Sequence, residues 1–190
     1  MIPLAAAIAA RTKKIRIGTF VLLMPLHNPL HVAEDAATID VLSNGRFDLG
    51  LGQGYVAREF TAFNVPREER SRRLREGVEI VRRAFTEENF SFEGRCYTVR
   101  DVTLYPRPVQ QPHPPIWIGA RSRPATERAA RNGYHLAGFG ERGRPRPTGP
   151  RYVRSGAILP NSTSRSCGSA SLRQRRRKRG TNVNSDSSIC

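Results

Sequence analysis

Cysteine is scarce in this sequence, and the few cysteines that occur are isolated. Cys96, Cys167 and Cys190 lie far apart, with no CxxC pair and no histidine spaced to join them in a metal site. Neither a structural zinc site nor a disulfide framework is therefore indicated. A reducing, cytoplasmic location is the expectation that fits this cysteine usage.

Long apolar runs are missing as well. The opening MIPLAAAIAARTKK is too short to span a bilayer, and its positive charges follow the apolar run, whereas those of a signal peptide precede it. We therefore expect no membrane insertion, and we interpret this segment as the last turns of an amphipathic helix.

Acidic residues are few, and their shortage is greatest near the C-terminus. The sequence has 32 Lys and Arg against 16 Asp and Glu, but residues 141–190 contain 12 against 2, and residues 1–140 contain 20 against 14. We interpret 1–140 as one globular domain. Residues 141–190 are rich in Arg, Ser and Pro without apolar periodicity, which predicts a disordered tail, and the abrupt change suggests a frameshifted end to the reading frame. From the positive charge of this tail we expect it to bind polyanions non-specifically and in a salt-sensitive way.

Strands and helices alternate from Ile15 onward, which predicts βαβ units and a parallel sheet. Residues 53–66 are predicted to be a loop, and residues 89–115 an irregular excursion with two short strands at the non-catalytic end. On the predicted helix over 71–86, Arg72 with Glu76, Arg75 with Glu79, and Glu79 with Arg83 are expected to pair on the solvent side. The predicted strands cover 15–21, 47–52, 116–120 and 134–139, and the predicted helices cover 28–44, 71–86 and 124–133.

The strand over 47–52 has an unusual alternation. Large apolar residues occupy every second position, and Asp48, Gly50 and Gly52 occupy the positions between them. A glycine inside a strand loses packing and is usually explained by a bulge or by a group that approaches the backbone closely. We interpret these glycines as facing a barrel interior, where a cofactor ring is the candidate for that group.

Several ordered motifs carry a resemblance to a known family. The segment NPLHVAEDAATIDVLSNGRFDLGLGQGY, followed by ERSRRLREGVEIVRRAF and PPIWIGARSRPATERAARNG, closely resembles the bacterial-luciferase-like flavin oxidoreductases, and the match covers residues 3–139. The resemblance implies an α/β fold that is part of a (β/α)8 TIM barrel, about strands three to six. It also places the family's active-site histidine before Met1.

The resemblance implies that the flavin ring lies at the ends of two strands. Phe20 and Val21 match the end of the family's third strand, where a bulge with a cis peptide supports the ring. Gly52, Gln53 and Tyr55 match the end of the fourth strand. Many relatives carry an arginine where this chain has Gln53, so a phosphate contact is lost or replaced there.

The family's phosphate site matches the turn GARSRPAT. Arg121 and Ser122 offer a cation and a hydroxyl, and N–H groups at the start of the helix at Pro124 add to them. The alternative is a solvated helix cap.

Two histidines are considered separately. His27, on the catalytic side, is interpreted as a turn residue more readily than as a ligand contact. His135 is interpreted as structural.

The resemblance implies monooxygenation with reduced FMN from a flavin reductase, O2 and a small organic substrate. Two alternatives stay open. One is hydride transfer with a deazaflavin coenzyme on the same fold, and the other is an inactive fragment that binds polyanions through its tail. An incomplete barrel exposes strand edges, so instability or pairing in a homo-oligomer is expected.

Overall fold

The computed structural model describes residues 1–138 and the backbone of Tyr152–Val153. The α-helices of this part are α1 (Ile2–Arg11), α2 (Pro29–Ser43), α3 (Ala57–Ala62), α4 (Arg70–Thr86) and α5 (Arg123–Arg131), with 3-10 turns at Met24–Leu26 and Arg67–Glu69. The strands are β1 (Ile17–Gly18), β2 (Leu22–Leu23), β3 (Phe47–Gly52), β4 (Phe90–Glu93), β5 (Thr98–Val102), β6 (Ile116–Gly119), β7 (His135–Ala137) and β8 (Tyr152–Val153).

One parallel sheet organises these elements. Its order is β1-β3-β6-β7-β8, with β2 also paired to β3, and every pairing along it is parallel. Helices connect successive strands and cover one face, so Leu49, Leu51 and Ile116 are buried in a single core. This is the predicted α/β arrangement of a partial TIM barrel.

The predicted tail, residues 141–190, lies outside the described residues except for the two of β8. The backbone of β8 pairs in parallel with β7, which extends the sheet by one short strand inside the range that we predicted to be disordered.

Within residues 1–138, no helix has the length and apolar character needed to cross a lipid bilayer.

The strand predicted over 15–21 is divided in two. β1 pairs Gly18 with Asp48, and β2 pairs Leu22 with Leu51. The first strand thus advances one residue more than β3 between these pairs, which is the signature of a β-bulge. The Phe20–Val21 peptide within the bulge is cis, at the position that the family resemblance indicated.

Helix α2 begins and ends where the sequence predicted. The Asn28 side chain accepts a hydrogen bond from the Leu30 N–H at 2.9 Å, and Pro29 follows it as the first helical residue. Asn44 at φ 53° and Gly45 at φ 75° end the helix in the left-handed region. Both signals are local, so this connection between β2 and β3 is set by its own sequence.

The predicted loop over 53–66 contains a short helix, α3, and the predicted short strands after α4 are the antiparallel hairpin β4-β5. The hairpin begins beside the C-terminal end of α4, where Arg83 donates to the Ser91 carbonyl at 2.8 Å. Its tip reaches the N-terminal half of α4, which is further toward the catalytic end than we predicted. There the Glu76 carboxylate accepts from the backbone N–H groups of Arg95, Cys96 and Tyr97.

The pairings predicted for the outer face of α4 are therefore wrong. Glu76 binds the hairpin backbone, and Glu79 pairs with Arg82 at 2.7 Å.

The C-terminus of helix α1 is bound by an arginine, because the Arg46 guanidinium donates to the carbonyls of Ala9 and Thr12 at 3.1 and 2.8 Å. These hydrogen bonds fix the α1 C-terminus to the start of β3.

Candidate functional site

The candidate site lies at the edge where the parallel strands end. Because β2, β3, β6 and β7 run in the same direction, their C-terminal ends lie along one edge of the sheet. In (β/α)8 barrels this edge carries the active site. The described residues contain no cluster of histidine, cysteine or acidic side chains that would hold a metal ion.

Thr19 holds the bulge beside β3. Its hydroxyl donates to the Gly50 carbonyl at 2.8 Å and accepts from the Gly50 N–H at 2.9 Å. Its own N–H donates to the Asp48 carbonyl at 3.3 Å, and the residue is buried. The hydroxyl thereby satisfies both backbone groups of Gly50 at the position where the bulge interrupts normal strand pairing.

The glycines of the sheet make room for this bulge. A Cβ on Gly52 would lie 2.5 Å from Val21 Cγ2, and one on Gly119 would lie 3.3 Å from the same atom. A Cβ on Gly50 would collide with the Thr19 carbonyl. The group that approaches β3 closely is thus the bulge itself, which corrects the interpretation that a cofactor ring contacts these glycines directly.

The other predicted ring residues differ in exposure. Phe20 is 51% exposed and Tyr55 is 77% exposed, whereas Gln53 is half-buried. Gly54 at φ 73° turns the chain outward, and Phe60 packs beneath it with 1% exposure. Phe20, Val21, Gly52 and Gln53 therefore share the strand-end edge, while the Tyr55 side chain points away from the packed core.

The predicted anion site has fewer backbone donors than expected. Arg121 and Ser122 are exposed at the end of β6, next to α5. The N–H groups of Ala125 and Thr126 donate to the Ser122 carbonyl at 3.1 and 3.0 Å, and Pro124 has no N–H. The Ser122 hydroxyl makes no capping hydrogen bond to α5. Binding of an anion here would rest mainly on the Arg121 side chain and this hydroxyl.

His27 follows the 3-10 turn on the same side as the strand ends. Its partial burial lowers the pKa of the imidazole, and the charge of Asp35 opposes this shift. At neutral pH the ring is therefore mostly uncharged. The His27 backbone N–H donates to the Met24 carbonyl at 3.1 Å at the end of that turn, which agrees with the turn residue that the sequence favoured over a ligand contact.

An aromatic pair that sequence reasoning did not single out lies one layer deeper. Trp117 and His135 are in register on β6 and β7, with ring centroids 4.5 Å apart and planes inclined by 32°. Trp117 is also in register with Gly50. The alternation of Trp117 with Gly119 in the IWIG strand was the signal that both face the barrel interior.

Charged residues lie below this pair, toward the opposite end of the sheet. Arg16 binds the Asp48 carboxylate through two nitrogens at 2.9 and 2.8 Å, and this hydrogen bonding raises the pKa of Arg16. Gln110 accepts from Arg16 at 3.2 Å and donates to the Phe47 carbonyl at 2.7 Å. Residues at this end of a barrel contribute to stability.

The family model described as luciferase-like monooxygenase matches residues 1–152. The chain belongs to this family, whose members are oxidoreductases. Among the similar solved structures is the monooxygenase RslO1 from Streptomyces bottropensis, with a TM-score of 0.69 and 39% identity over 71% of this chain and 41% of that one.

Curated relatives include enzymes named for two different coenzymes. The FMNH(2)-dependent dimethylsulfone monooxygenase of Pseudomonas putida is 35% identical, covering 68% of this chain and 36% of the relative. The F420-dependent glucose-6-phosphate dehydrogenase of Kineococcus radiotolerans is 39% identical, covering 66% and 38%. The chain thus spans about two fifths of the length of these relatives.

Proposed function

We propose that this chain carries the flavin-binding part of a luciferase-like monooxygenase that uses reduced FMN, O2 and a small organic substrate. The observation that carries the proposal is the bulge at Thr19–Val21 at the strand-end edge. Thr19 hydrogen-bonds to Gly50, and Val21 packs over Gly52 and Gly119. Membership of the family and the FMN-dependent relative support it.

The residues at this edge fit a flat aromatic group. Val21 already occupies the space over the glycines, so the ring would rest on the bulge and not on the β3 backbone. Phe20 is half exposed and adds apolar surface there, while half-buried Gln53 adds amide groups that can bind ring heteroatoms. Arg121 and Ser122 would bind the phosphate.

In this proposal the reduced flavin supplies the chemistry with O2, and the protein supplies position and exclusion of water. The bulge orients the ring, and the packed β3 beneath it, with Leu49 and Leu51 fully buried, closes that side to solvent. A separate flavin reductase would deliver the reduced coenzyme.

Hydride transfer with a deazaflavin is the second candidate. It is favoured by the 39% identity to an F420-dependent dehydrogenase, which equals the identity to the monooxygenase RslO1. The bulge would support either ring. A third candidate, polyanion binding by residues 141–190, rests on their net charge alone.

The experiment that tests the proposal measures the phosphate contact. FMN and riboflavin are titrated by fluorescence quenching against a chimera in which an intact relative supplies the rest of the barrel. A hydrogen bond to a charged group contributes about 1.5–3 kcal/mol, so Arg121→Ala should weaken FMN binding roughly 10- to 150-fold and leave riboflavin unchanged.

Arg123→Ala is the matched control, because Arg123 is exposed and pairs with Glu127 at 2.7 Å. It should leave both ligands unaffected. Equal losses of FMN and riboflavin in Arg121→Ala would mean that the fold was damaged, and no loss in either would place the phosphate elsewhere. Tight binding of a deazaflavin with no binding of either flavin would favour the second candidate.

A further inference from the structure

The Trp117 indole N–H is a buried donor without an acceptor. Among the described residues, its Nε1 atom has almost no contact with solvent and no hydrogen-bond partner. A polar donor that is buried without a partner gives up its hydrogen bond to water and gains none in return, which is unfavourable. Such a group calls for an explanation, and an acceptor on a ligand in the barrel interior would provide one.

The position of the pair agrees with a ligand contact. The register places Gly52, Gly119 and Ala137 in the layer above Trp117 and His135, toward the strand ends. In that layer Val21 is the side chain that reaches over the glycines, while below the pair Arg16 and Asp48 bind each other. Along β6 and β7, the Trp117 and His135 rings are therefore the first large side chains below Val21 and this layer of small residues.

The chemistry of the pair restricts what it would bind. Trp117 offers one donor and a flat apolar surface, and the His135 ring stacks against it at 4.5 Å. A compact apolar molecule with a carbonyl or sulfonyl oxygen, such as a ketone or a sulfone, satisfies the donor and keeps its apolar part against the ring. A purely hydrocarbon ligand would leave the N–H unsatisfied.

We propose that Trp117 and His135 form the floor of the substrate pocket, where the indole N–H donates to a carbonyl or sulfonyl oxygen of the substrate. This inference rests on the proposed function, because it takes the strand-end edge as the site of a small organic substrate. Trp117 would contact the substrate, and His135 would fix the orientation of the indole.

Because Trp117 is the single tryptophan of the chain, its Raman band sensitive to hydrogen bonding at Nε1 reports this group alone. The full chain would be titrated with cyclohexanone and with methylenecyclohexane, which has nearly the same shape without the acceptor. We expect the ketone to shift the band to its hydrogen-bonded position and the hydrocarbon to leave it unchanged.

Trp117→Phe keeps a ring against His135 and removes the donor. It should weaken cyclohexanone binding, measured by calorimetry, roughly 2- to 12-fold, the range for one net hydrogen bond, with the hydrocarbon unaffected. The smaller ring also loses packing contacts, which would lower the thermal midpoint, and the hydrocarbon titration separates that loss from the loss of the donor. Tyr105→Phe, at a residue 70% exposed, is the matched control and should change neither ligand.

A Raman band already at its hydrogen-bonded position before ligand is added would overturn the inference, because the N–H would then have a partner within the chain or a bound water. Equal responses to the two ligands, or no response to either, would overturn it as well. If the chimera with Arg121 in place fails to bind FMN while this chain shows the ketone-specific shift, the proposed function is refuted and the acceptor site stands.

Discussion

Thr19 replaces, with its hydroxyl, the backbone pairing that the first strand loses at the bulge. Both hydrogen bonds go to Gly50, which lies 31 residues further along the chain. A threonine in a short apolar stretch gives no local sign of this role, so the sequence predicted one continuous strand. The glycines of β3 were correctly predicted to accept a close neighbour, but the identity of that neighbour depends on the same distant contact.

Thr19→Val should lower the free energy of unfolding by about 1–3 kcal/mol for each group left unpaired, because the nearly isosteric methyl group leaves both the N–H and the carbonyl of Gly50 without their partner. Chemical denaturation followed by far-UV circular dichroism measures the change. Thr19→Ser keeps the hydroxyl and is the control. If the serine variant lost as much free energy of unfolding as the valine variant, the methyl contact would matter and the hydrogen bonding would not.

Gly52→Ala should destabilise the chain by about 1–3 kcal/mol, because its Cβ would lie 2.5 Å from Val21 Cγ2. Val21→Ala removes the colliding atoms, so the double variant should recover part of that loss in the same denaturation experiment. Gly50→Ala should show no such rescue, because its Cβ meets the Thr19 backbone. Strictly additive effects of Gly52→Ala and Val21→Ala would contradict the contact.

At the scale of elements, local signals were read correctly and distant ones were not. Adjacent residues determine where α2 starts, at Asn28-Pro29, and where it ends, at Asn44-Gly45, and both were predicted. Glu76 was assigned an arginine on its own helix, because the i,i+4 rule considers only that helix. Its partners are three N–H groups at the tip of a hairpin about 20 residues later.

Glu76→Ala should release the β4-β5 hairpin from α4. Hydrogen bonds to a charged acceptor contribute about 1.5–3 kcal/mol, so the amide protons of Arg95, Cys96 and Tyr97 should exchange roughly 10- to 150-fold faster. Hydrogen exchange measured by mass spectrometry gives these rates. Glu79→Ala, which breaks the surface pair with Arg82, should leave the hairpin unchanged. Equal exchange in both variants would mean that Glu76 does not hold the hairpin.

At the scale of the whole molecule, the sheet has an open end. β1 is the first strand in the sheet order, and no other described strand pairs with its outer edge. Leu4, Ile15 and Leu42, on α1, the connection to β1, and α2, are 66%, 55% and 52% exposed. A closed barrel removes strand edges and covers such residues, so a chain that presents them is expected to associate.

We therefore expect the 190-residue chain to self-associate, with an average mass in sedimentation velocity that rises with concentration. Association stabilises the folded state by mass action, so the thermal midpoint should rise with concentration too. Leu42→Glu should shift the distribution toward smaller species, because it puts a charge on the exposed face of α2. Thr38→Glu, also exposed on α2, is the matched control and should shift it less. A monomer with a sharp, concentration-independent melt would show that the open sheet edge is stable on its own.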